Sequence, residues 1–371
     1  MNALCIAALL LWSDAPGGPV ARAAPVLAAA PAAPAAQQPE RRTLSGDHVA
    51  VYNLAGVLRL ERGTGPDVVV ELSRGGPDAA KLTIVTGALR GRETLRVIYP
   101  DDDLIYRELG HRSSTTLHVR DDGTFNDQEG RKGHWSEEGR RVRISGSGGG
   151  LEAHADVRVA VPTGKRVEVY LAVGQAFVTN VDGDFRVDVT SANVAADHVK
   201  GSLLVATGSG DVRLSDAEGD VSLDTGSGDV TVTDAHGRVL RLGTGSGNVT
   251  ADRVTADALK IDTGSGNVTT SVVRSNDVRI DTGSGDVRLD LKSNLESLYV
   301  DTGSGDVTVN VPAELGAEVD LDTGSGEIDL QNVTVRTTRL EKDHVSGAIG
   351  DGKGRMHIET GSGGIRLARS R

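Results

Sequence analysis

Residues 221–233, with the sequence VSLDTGSGDVTVT, contain the pattern that decides the fold. Apolar and polar residues alternate before and after a Thr-Gly-Ser-Gly motif, which is typical of two half-buried β-strands joined by a turn. The motif recurs, and its first seven copies lie 18 to 21 residues apart. The eight copies begin at Thr207, Thr225, Thr244, Thr263, Thr282, Thr302, Thr323 and Thr360. A repeat of this length is typical of stacked, solenoid-like architectures.

Apolar residues occupy the same positions relative to every Thr-Gly-Ser-Gly motif. Val221 and Leu223 lie four and two residues before Thr225, and Val230 and Val232 lie five and seven residues after it. One such unit cannot bury its own apolar face, so it must stack on its neighbours, with paired strands about 4.8 Å apart. The sequence therefore predicts an all-β chain whose residues 166–371 form a parallel β-solenoid with rungs of about 18–21 residues.

The turn residues themselves are predicted to be structural. We expect the glycines to supply backbone conformations that a Cβ would hinder, and to let identical turns lie close together. The predicted turn residues include Thr207, Gly208, Gly210, Thr225, Gly226, Gly228, Thr282, Gly283, Gly285, Thr302, Gly303 and Gly305. Degenerate copies at 172–177, 190–194 and 345–349 complete the spacing and bring the expected number to about eleven rungs.

The remaining sequence divides into three parts. Residues 1–23 hold a short apolar run followed by small residues, as in a cleaved signal peptide, and residues 24–44 are rich in Ala and Pro, as in a disordered linker. Residues 45–165 alternate like the start of the solenoid, with a charged hairpin insertion at 100–141. We therefore expect export to the periplasm, the cell surface or the medium, with no transmembrane segment in the mature chain.

The amino-acid composition argues against several classes of binding partner. The net charge of −12 argues against nucleic acid, because binding to phosphates requires clustered Lys and Arg. Aromatic residues are only 3% of the chain, so the flat aromatic platforms that commonly bind sugars in enzymes are scarce. The only cysteine, Cys5, lies in the predicted signal peptide, which leaves no thiol for a disulfide or a metal site. A protein or glycan at the cell envelope remains as the expected partner.

Two features of the sequence suggest a catalytic or a metal site, but each has a simpler structural explanation. Asp-Thr-Gly-Ser matches the catalytic loop of aspartic proteases, but that chemistry needs two carboxylates sharing one proton, and five copies one rung apart would form a line. The histidines His111, His118 and His134 match no zinc-binding spacing and are expected to face solvent. No catalytic or cofactor-binding residue is predicted.

Acidic residues after the turns suggest calcium as an alternative. A column of carboxylates about 5 Å apart would repel by about 1 kcal/mol per pair in water, and Ca²⁺ prefers several oxygen ligands. Asn248 and Asn267 interrupt that column, and the order differs from known calcium-binding nonapeptides. We therefore favour a role in capping the turns. The residues of the calcium hypothesis are Asp211, Asp229, Asp286, Asp306 and Glu327.

Three features belong together: the alternating start at 49–60, the Val-Pro-Thr-Gly step at 161–164 and the repeated Gly-Ser-Gly-Asp-Val. In these features the sequence resembles the DUF4097 family of adhesin-like bacterial proteins, and the resemblance covers most of residues 47–371. It implies an extracytoplasmic β-helical adhesin and carries over no catalytic residue. A non-enzymatic binding or scaffold protein is thus the favoured function, and a polysaccharide-active β-helix enzyme is the alternative.

Overall fold

The structure, a computed structural model, describes residues 39–126 and 139–370. Within these ranges it has 24 strands, two short 3-10 helices at Ala79–Lys81 and Arg107–Leu109, and no α-helix. The strands are β1 (Glu40–Leu44), β2 (His48–Arg62), β3 (Val68–Gly75), β4 (Thr83–Leu89), β5 (Arg92–Ile98), β6 (Asp103–Ile105), β7 (Ser114–Val119), β8 (Arg140–Ser145), β9 (His154–Val161), β10 (Lys165–Ser209), β11 (Val212–Glu218), β12 (Val221–Thr225), β13 (Val230–Thr244), β14 (Val249–Thr263), β15 (Val268–Thr282), β16 (Val287–Asp290), β17 (Ser297–Thr302), β18 (Val307–Val311), β19 (Ala317–Thr323), β20 (Ile328–Gln331), β21 (Arg336–Leu340), β22 (His344–Ile349), β23 (Gly354–Thr360) and β24 (Ile365–Arg369). The prediction of an all-β, parallel β-solenoid is confirmed.

The rungs stack in register around a narrow aliphatic core. Strands β13, β14 and β15 pair in parallel, so that Val230, Val249 and Val268 lie above one another and are completely buried. The residue two positions before the turn Thr is buried in every copy of the motif, as the apolar phase predicts. These residues are Val205, Leu223, Leu242, Ile261, Ile280, Val300, Leu321 and Ile358.

The turn threonines are buried and link neighbouring rungs. Thr225 is 1% exposed, and its Oγ1 donates a 3.0 Å hydrogen bond to the carbonyl oxygen of Gly210 in the preceding rung. Thr282 donates in the same way to Gly266 over 3.2 Å. Each buried hydroxyl is thereby satisfied, and each turn is tied to its neighbour by a side-chain bond as well as by the backbone.

The turn glycines are required mainly by close approach between rungs. A Cβ on Gly228 would lie 2.1 Å from the carbonyl oxygen of Gly210, and one on Gly285 would lie equally close to the carbonyl oxygen of Gly266. Among the turn glycines only Gly210 has a φ in the left-handed region, at +141°. The expectation that these glycines supply special backbone conformations is therefore wrong for most of the turns, whereas the expectation of tight stacking is confirmed.

The last two rungs do not stack in chain order. Strands β23 and β24 pair in parallel with β17 and β18 on one side, and with β19 and β20 on the other. The rung that contains Thr360 therefore lies between the rungs of Thr302 and Thr323. Residues 345–349, which were predicted to be a degenerate rung, instead form most of β22, and this strand runs antiparallel to β19. That prediction is wrong because the segment shares the apolar alternation of the rungs but lies at the edge of the stack.

Antiparallel strands cover both ends of the parallel stack. Strands β22 and β21 pair in succession beyond β19 at one end. At the other end β5 and β9 pair in parallel with β2, and β4 and β3 then pair antiparallel with them. An open edge of parallel strands would present unpaired N–H and C=O groups to other chains, and these strands cover it.

The amino-terminal region begins earlier than the sequence predicted. Strand β1 at Glu40–Leu44 pairs with β3, so the predicted linker 24–44 is wrong over its last five residues. The rest of that linker and the predicted signal peptide 1–23 lie outside the described residues. Strand β2 forms the first rung and pairs in register with residues 166–179 of β10.

The predicted insertion at 100–141 contains most of a separate three-stranded sheet, in the order β6-β8-β7. Its strands β7 and β8 pair antiparallel, as in a hairpin, and Asp122-Gly123 lies in the turn after β7. Phe125 is buried and contacts Tyr52 and Tyr170 edge-on, which anchors the insertion to the solenoid. Most buried side chains of the insertion thus belong to the same hydrophobic core as the rungs. No helix in the described part of the chain is long and apolar enough to span a membrane.

Candidate functional site

One face of the solenoid carries in-register columns of charged and polar side chains. We call it the pre-turn face; it consists of the outward residues one and three positions before each turn Thr. In stack order, the residues three positions before the Thr are Leu204, Ser222, Arg241, Lys260, Arg279, Tyr299, His357 and Asp320. The residues one position before it are Ala206, Asp224, Gly243, Asp262, Asp281, Asp301, Glu359 and Asp322.

The middle of the pre-turn face has a basic column beside an acidic one. Arg241, Lys260 and Arg279 are exposed on three consecutive rungs, and the guanidinium of Arg279 lies 3.5 Å from Asp281. The line formed by Asp262, Asp281 and Asp301 is the arrangement that the sequence predicted for the Asp-Thr-Gly-Ser motifs. Neighbouring strands are about 4.8 Å apart, so each column repeats its charge at that spacing.

A network of aromatic and histidine side chains continues the columns toward the carboxyl end. The Arg279 guanidinium lies 4.5 Å from the ring centroid of Tyr299, a cation–π distance, and the rings of Tyr299 and His357 stack at 5.4 Å. His357 Nδ1 is 3.2 Å from Asp320 Oδ2. Partial burial raises the pKa of Tyr299, and the neighbouring Asp301 carboxylate raises this pKa further.

His344 of the capping strand β22 joins the same network. Its Nδ1 lies 2.7 Å from Asp322 Oδ2, and its Nε2 lies 3.3 Å from Asp320 Oδ1. A cavity of about 760 Å³ opens beside it, lined by Glu318, Asp320, Arg336, Arg355 and His357 among others. This network could not be predicted from the sequence, because Tyr299 and His357 lie on adjacent rungs only when the rung of Thr360 stacks between those of Thr302 and Thr323.

A second cavity, of about 480 Å³, lies at the opposite end of the same face. It separates the insertion from the rungs, with Arg120 and Asn126 on one wall and Arg186 and Asp188 on the other. Asn126 Nδ2 donates to Thr190 Oγ1 over 3.0 Å and to Asp188 Oδ1 over 3.3 Å. The pre-turn face is therefore bounded at each end by a cavity that is lined in part by charged side chains.

The acidic residues after the turns form a hydrogen-bonded ladder. Asp229 Oδ1 accepts a 2.8 Å bond from the backbone N–H of Asn248, the equivalent residue of the next rung. The acceptors in stack order are Asn193, Asp211, Asp229, Asn248, Asn267, Asp286 and Asp306, with Gly364 as the last donor and distances of 2.8–3.2 Å. An Asn amide and an Asp carboxylate serve equally well as acceptors in this ladder, because each bond uses only one side-chain oxygen.

This ladder includes four of the five residues of the calcium hypothesis. Asp211, Asp229, Asp286 and Asp306 each use one oxygen to cap the next rung, as expected from the capping interpretation, although the bond crosses between rungs. Glu327 is exposed and forms a 3.1 Å ion pair with Lys342. Within residues 39–126 and 139–370, no group of three or more His, Cys, Asp or Glu side chains is arranged to hold a metal ion. Calcium binding stays a hypothesis.

Two of the three histidines considered as a zinc site lie within the described residues. His111 and His118 are both exposed, the latter on β7, and His134 lies outside the described residues. The exposure of the first two agrees with the expectation that they face solvent.

The Asp281→Asn substitution tests whether the acidic column binds a metal. We expect the free energy of unfolding to change by no more than about 1 kcal/mol, because Asp281 is partly exposed and its contact with Arg279 is a surface ion pair. Less repulsion from Asp262 and Asp301 would favour a slight gain. Thermal unfolding should be measured for both proteins with and without millimolar calcium. A rise of many degrees in the parent that the variant loses would instead identify a calcium site.

Comparison with protein-family models agrees with the sequence resemblance. The family model described as Toastrack DUF4097 matches residues 159–368, which includes every Thr-Gly-Ser-Gly motif and excludes the region before β9. Among solved structures, the chain is similar to a "putative cell adhesion protein" from Clostridium sporogenes ATCC 15579. That likeness has 12% identity and a TM-score of 0.20, and it covers 90% of this chain and 100% of the other. No curated protein matches the sequence significantly.

Proposed function

This chain belongs to the Toastrack DUF4097 family, and we propose that it is an exported, non-enzymatic binding or scaffold protein of the bacterial cell envelope, of adhesin type. The observation that carries the proposal is the repetition of outward charges on the pre-turn face. A column such as Arg241, Lys260 and Arg279 offers the same kind of contact on each rung. Such a surface suits an extended partner whose own groups repeat, a protein segment or a glycan.

The same repetition argues against catalysis on this face. An acid–base or nucleophilic mechanism needs distinct groups whose pKa values are driven apart by different surroundings. Asp262, Asp281 and Asp301 instead have nearly equivalent positions on successive rungs. A polysaccharide-active enzyme is the competing proposal, and the cavity at Arg186 and Asp188 is where its chemistry would lie.

A charge-reversal experiment tests the proposed binding face. The purified chain should be screened against panels of bacterial and host polysaccharides and of extracellular-matrix proteins. For every binder that carries negative charge, we expect the Arg241→Glu/Lys260→Glu variant to lose at least about tenfold in affinity. Two adjacent attractive contacts of the column become repulsive, and a change of about 1.4 kcal/mol in binding free energy is already tenfold in affinity.

The matched control is the Arg274→Glu/Arg288→Glu variant. It makes the same change in net charge at two exposed residues outside the pre-turn face. We expect it to change affinity by less than about twofold at physiological salt, where distant surface charges are screened. Equal losses in the two variants would contradict the assignment of the face. Failure of every panel member to bind, or cleavage of any polysaccharide, would contradict the function.

A further inference from the structure

The cavity beside His344 lies over a sheet in which capping strands and the last rungs meet. Strands β21, β22, β19 and β23 pair in that order, so that one row of Cα partners crosses all four strands. None of its side chains is buried. In order, the row consists of Arg336, Ala348, Glu318 and Arg355. The Cα atoms of its two arginines are three strand spacings apart, or about 14 Å.

Short side chains form the floor of this cavity, and long charged ones form its walls. Ala348 and Ser346 of β22 lie low between Arg336 on one side and Glu318 and Arg355 on the other. The resulting volume of about 760 Å³ is of the size that binds small molecules in other proteins, roughly 300–1,000 Å³. The cavity is therefore large enough for one or two sugar residues.

Three charged side chains of the cavity are available to a ligand. Among residues 39–126 and 139–370, no side-chain hydrogen bond or ion pair engages Arg336, Arg355 or Glu318. The fourth charged group, Asp320, lies 3.2 Å from His357 Nδ1 and 3.3 Å from His344 Nε2. The cavity thus offers guanidinium donors and carboxylate acceptors side by side.

This combination defines the chemistry of the ligand. A guanidinium only donates and binds a carboxylate in a bidentate manner, whereas a carboxylate only accepts and needs hydroxyl or N–H donors. A simple anion would be repelled by Glu318, and a neutral sugar would leave both guanidiniums without an anion. A sugar acid carries both a carboxylate and several hydroxyl groups.

Other lining residues favour a saccharide over an acidic peptide. The hydroxyls of Thr338 and Ser346, whose oxygens are 3.2 Å apart, add further donors and acceptors for sugar hydroxyls. The large apolar residues at the cavity, Val319 and Met356, are buried and offer little contact to an amino-acid side chain.

We propose that this cavity binds an acidic saccharide, with its carboxylates on Arg336 and Arg355 and its ring hydroxyls on Glu318 and Asp320. Recognition by ion pairs and hydrogen bonds requires no aromatic platform, in keeping with the few aromatic residues of the chain. The proposal rests on the proposed binding function and adds to it a second site, apart from the basic column of the pre-turn face, and a ligand class.

Calorimetric titration of the full chain with hexagalacturonate tests this site. We expect the Arg336→Gln/Arg355→Gln variant to lose at least about tenfold in affinity, because two charge-assisted contacts disappear. The matched control, Arg274→Gln/Arg288→Gln, removes the same charge at two exposed residues outside the cavity and should lose less than about twofold at physiological salt. The methyl ester of the probe, which keeps the hydroxyls and loses the charges, should bind the parent at least about tenfold more weakly.

The Glu318→Ala variant separates hydrogen bonding from simple charge attraction. We expect it to bind the probe at least about threefold more weakly, because an acceptor for sugar hydroxyls is lost. A site that attracted anions by charge alone would bind more tightly without this carboxylate. A hexaglutamate peptide should not displace the probe.

Four results would overturn the proposal. They are no binding of the probe by the parent, equal losses in the double variant and its control, tighter binding by Glu318→Ala, and displacement by hexaglutamate. The proposed function has a separate readout. If the Arg241→Glu/Lys260→Glu variant loses the probe and the cavity variant keeps it, the saccharide binds the pre-turn face, so that the proposed function stands and the cavity site does not.

Discussion

Replacing Val230 with Asp is expected to destabilise the protein by at least about 3 kcal/mol. Val230 is completely buried and is stacked between Val212 and Val249 in the core column. A carboxylate at this position would lie among aliphatic side chains with no positive charge or donor within the column, and burial of an unpaired charge is among the most costly substitutions. Urea unfolding followed by far-ultraviolet circular dichroism measures the loss.

The control for this substitution is Thr231→Asp, one residue further along β13. Thr231 points outward and is paired in register with Arg213 and Thr250 on the neighbouring rungs. We expect a change within about 0.5 kcal/mol, since a new carboxylate there is solvated and lies beside a guanidinium. Similar losses in the two variants would mean that the apolar phase of the rung has been assigned incorrectly.

The inward and outward positions of each rung could be predicted because the same alternation of apolar and polar residues surrounds every copy of the turn. Val230 and its equivalents alternate with polar residues at a fixed distance from a Thr-Gly-Ser-Gly turn, and a one-residue shift would turn all of them toward solvent. Tight packing of the turns followed from the same glycines. The burial of the turn Thr was not predicted, because a hydroxyl beside a Gly-Ser-Gly turn is also typical of an exposed position.

The order of the last rungs could not be predicted for a related reason. Rungs of nearly identical pattern fit equally well against one another, so the sequence does not indicate which neighbour each one takes. Residues 345–349 show the alternation of a rung, and only their antiparallel pairing with β19 reveals a capping strand. The network of Tyr299, His357 and His344 depends on that order and was hidden with it.

A buried ion pair at the amino-terminal end was also not predicted from the sequence. The side chains of Arg92 and Glu168 are 2% and 4% exposed and form an ion pair. Arg92 Nη2 donates to the Tyr52 hydroxyl over 2.7 Å, and the Tyr170 hydroxyl donates to Glu168 Oε2 over 2.8 Å. His48 Nε2 lies 2.8 Å from Glu168 Oε1. The partners come from distant parts of the chain, and no local motif marks them.

The surroundings of Glu168 favour its charged form. Burial raises the pKa of the Glu168 carboxyl, but hydrogen bonds from Tyr170 and His48 and the charge of Arg92 outweigh it, so the pKa is lowered. A carboxyl whose pKa is lowered on folding contributes its stability above the pKa of the unfolded chain, and this contribution is lost as the pH falls through the folded value. We therefore expect the Glu168→Gln variant to show a weaker loss of stability on acidification than the parent.

Removing only one member of this pair is expected to cost about 3–5 kcal/mol at neutral pH. The Arg92→Met variant removes the buried cation and leaves the buried Glu168 carboxylate with the more exposed Arg166 guanidinium, 3.3 Å away, and His48, and the loss of one buried partner is costlier than the pair itself. The Arg92→Met/Glu168→Met double variant removes both charges and should recover most of that loss. Arg253→Met, which breaks an exposed pair with Asp234, should cost less than about 1 kcal/mol. If urea unfolding shows the double variant to be less stable than Arg92→Met, the two charges do not act as a unit.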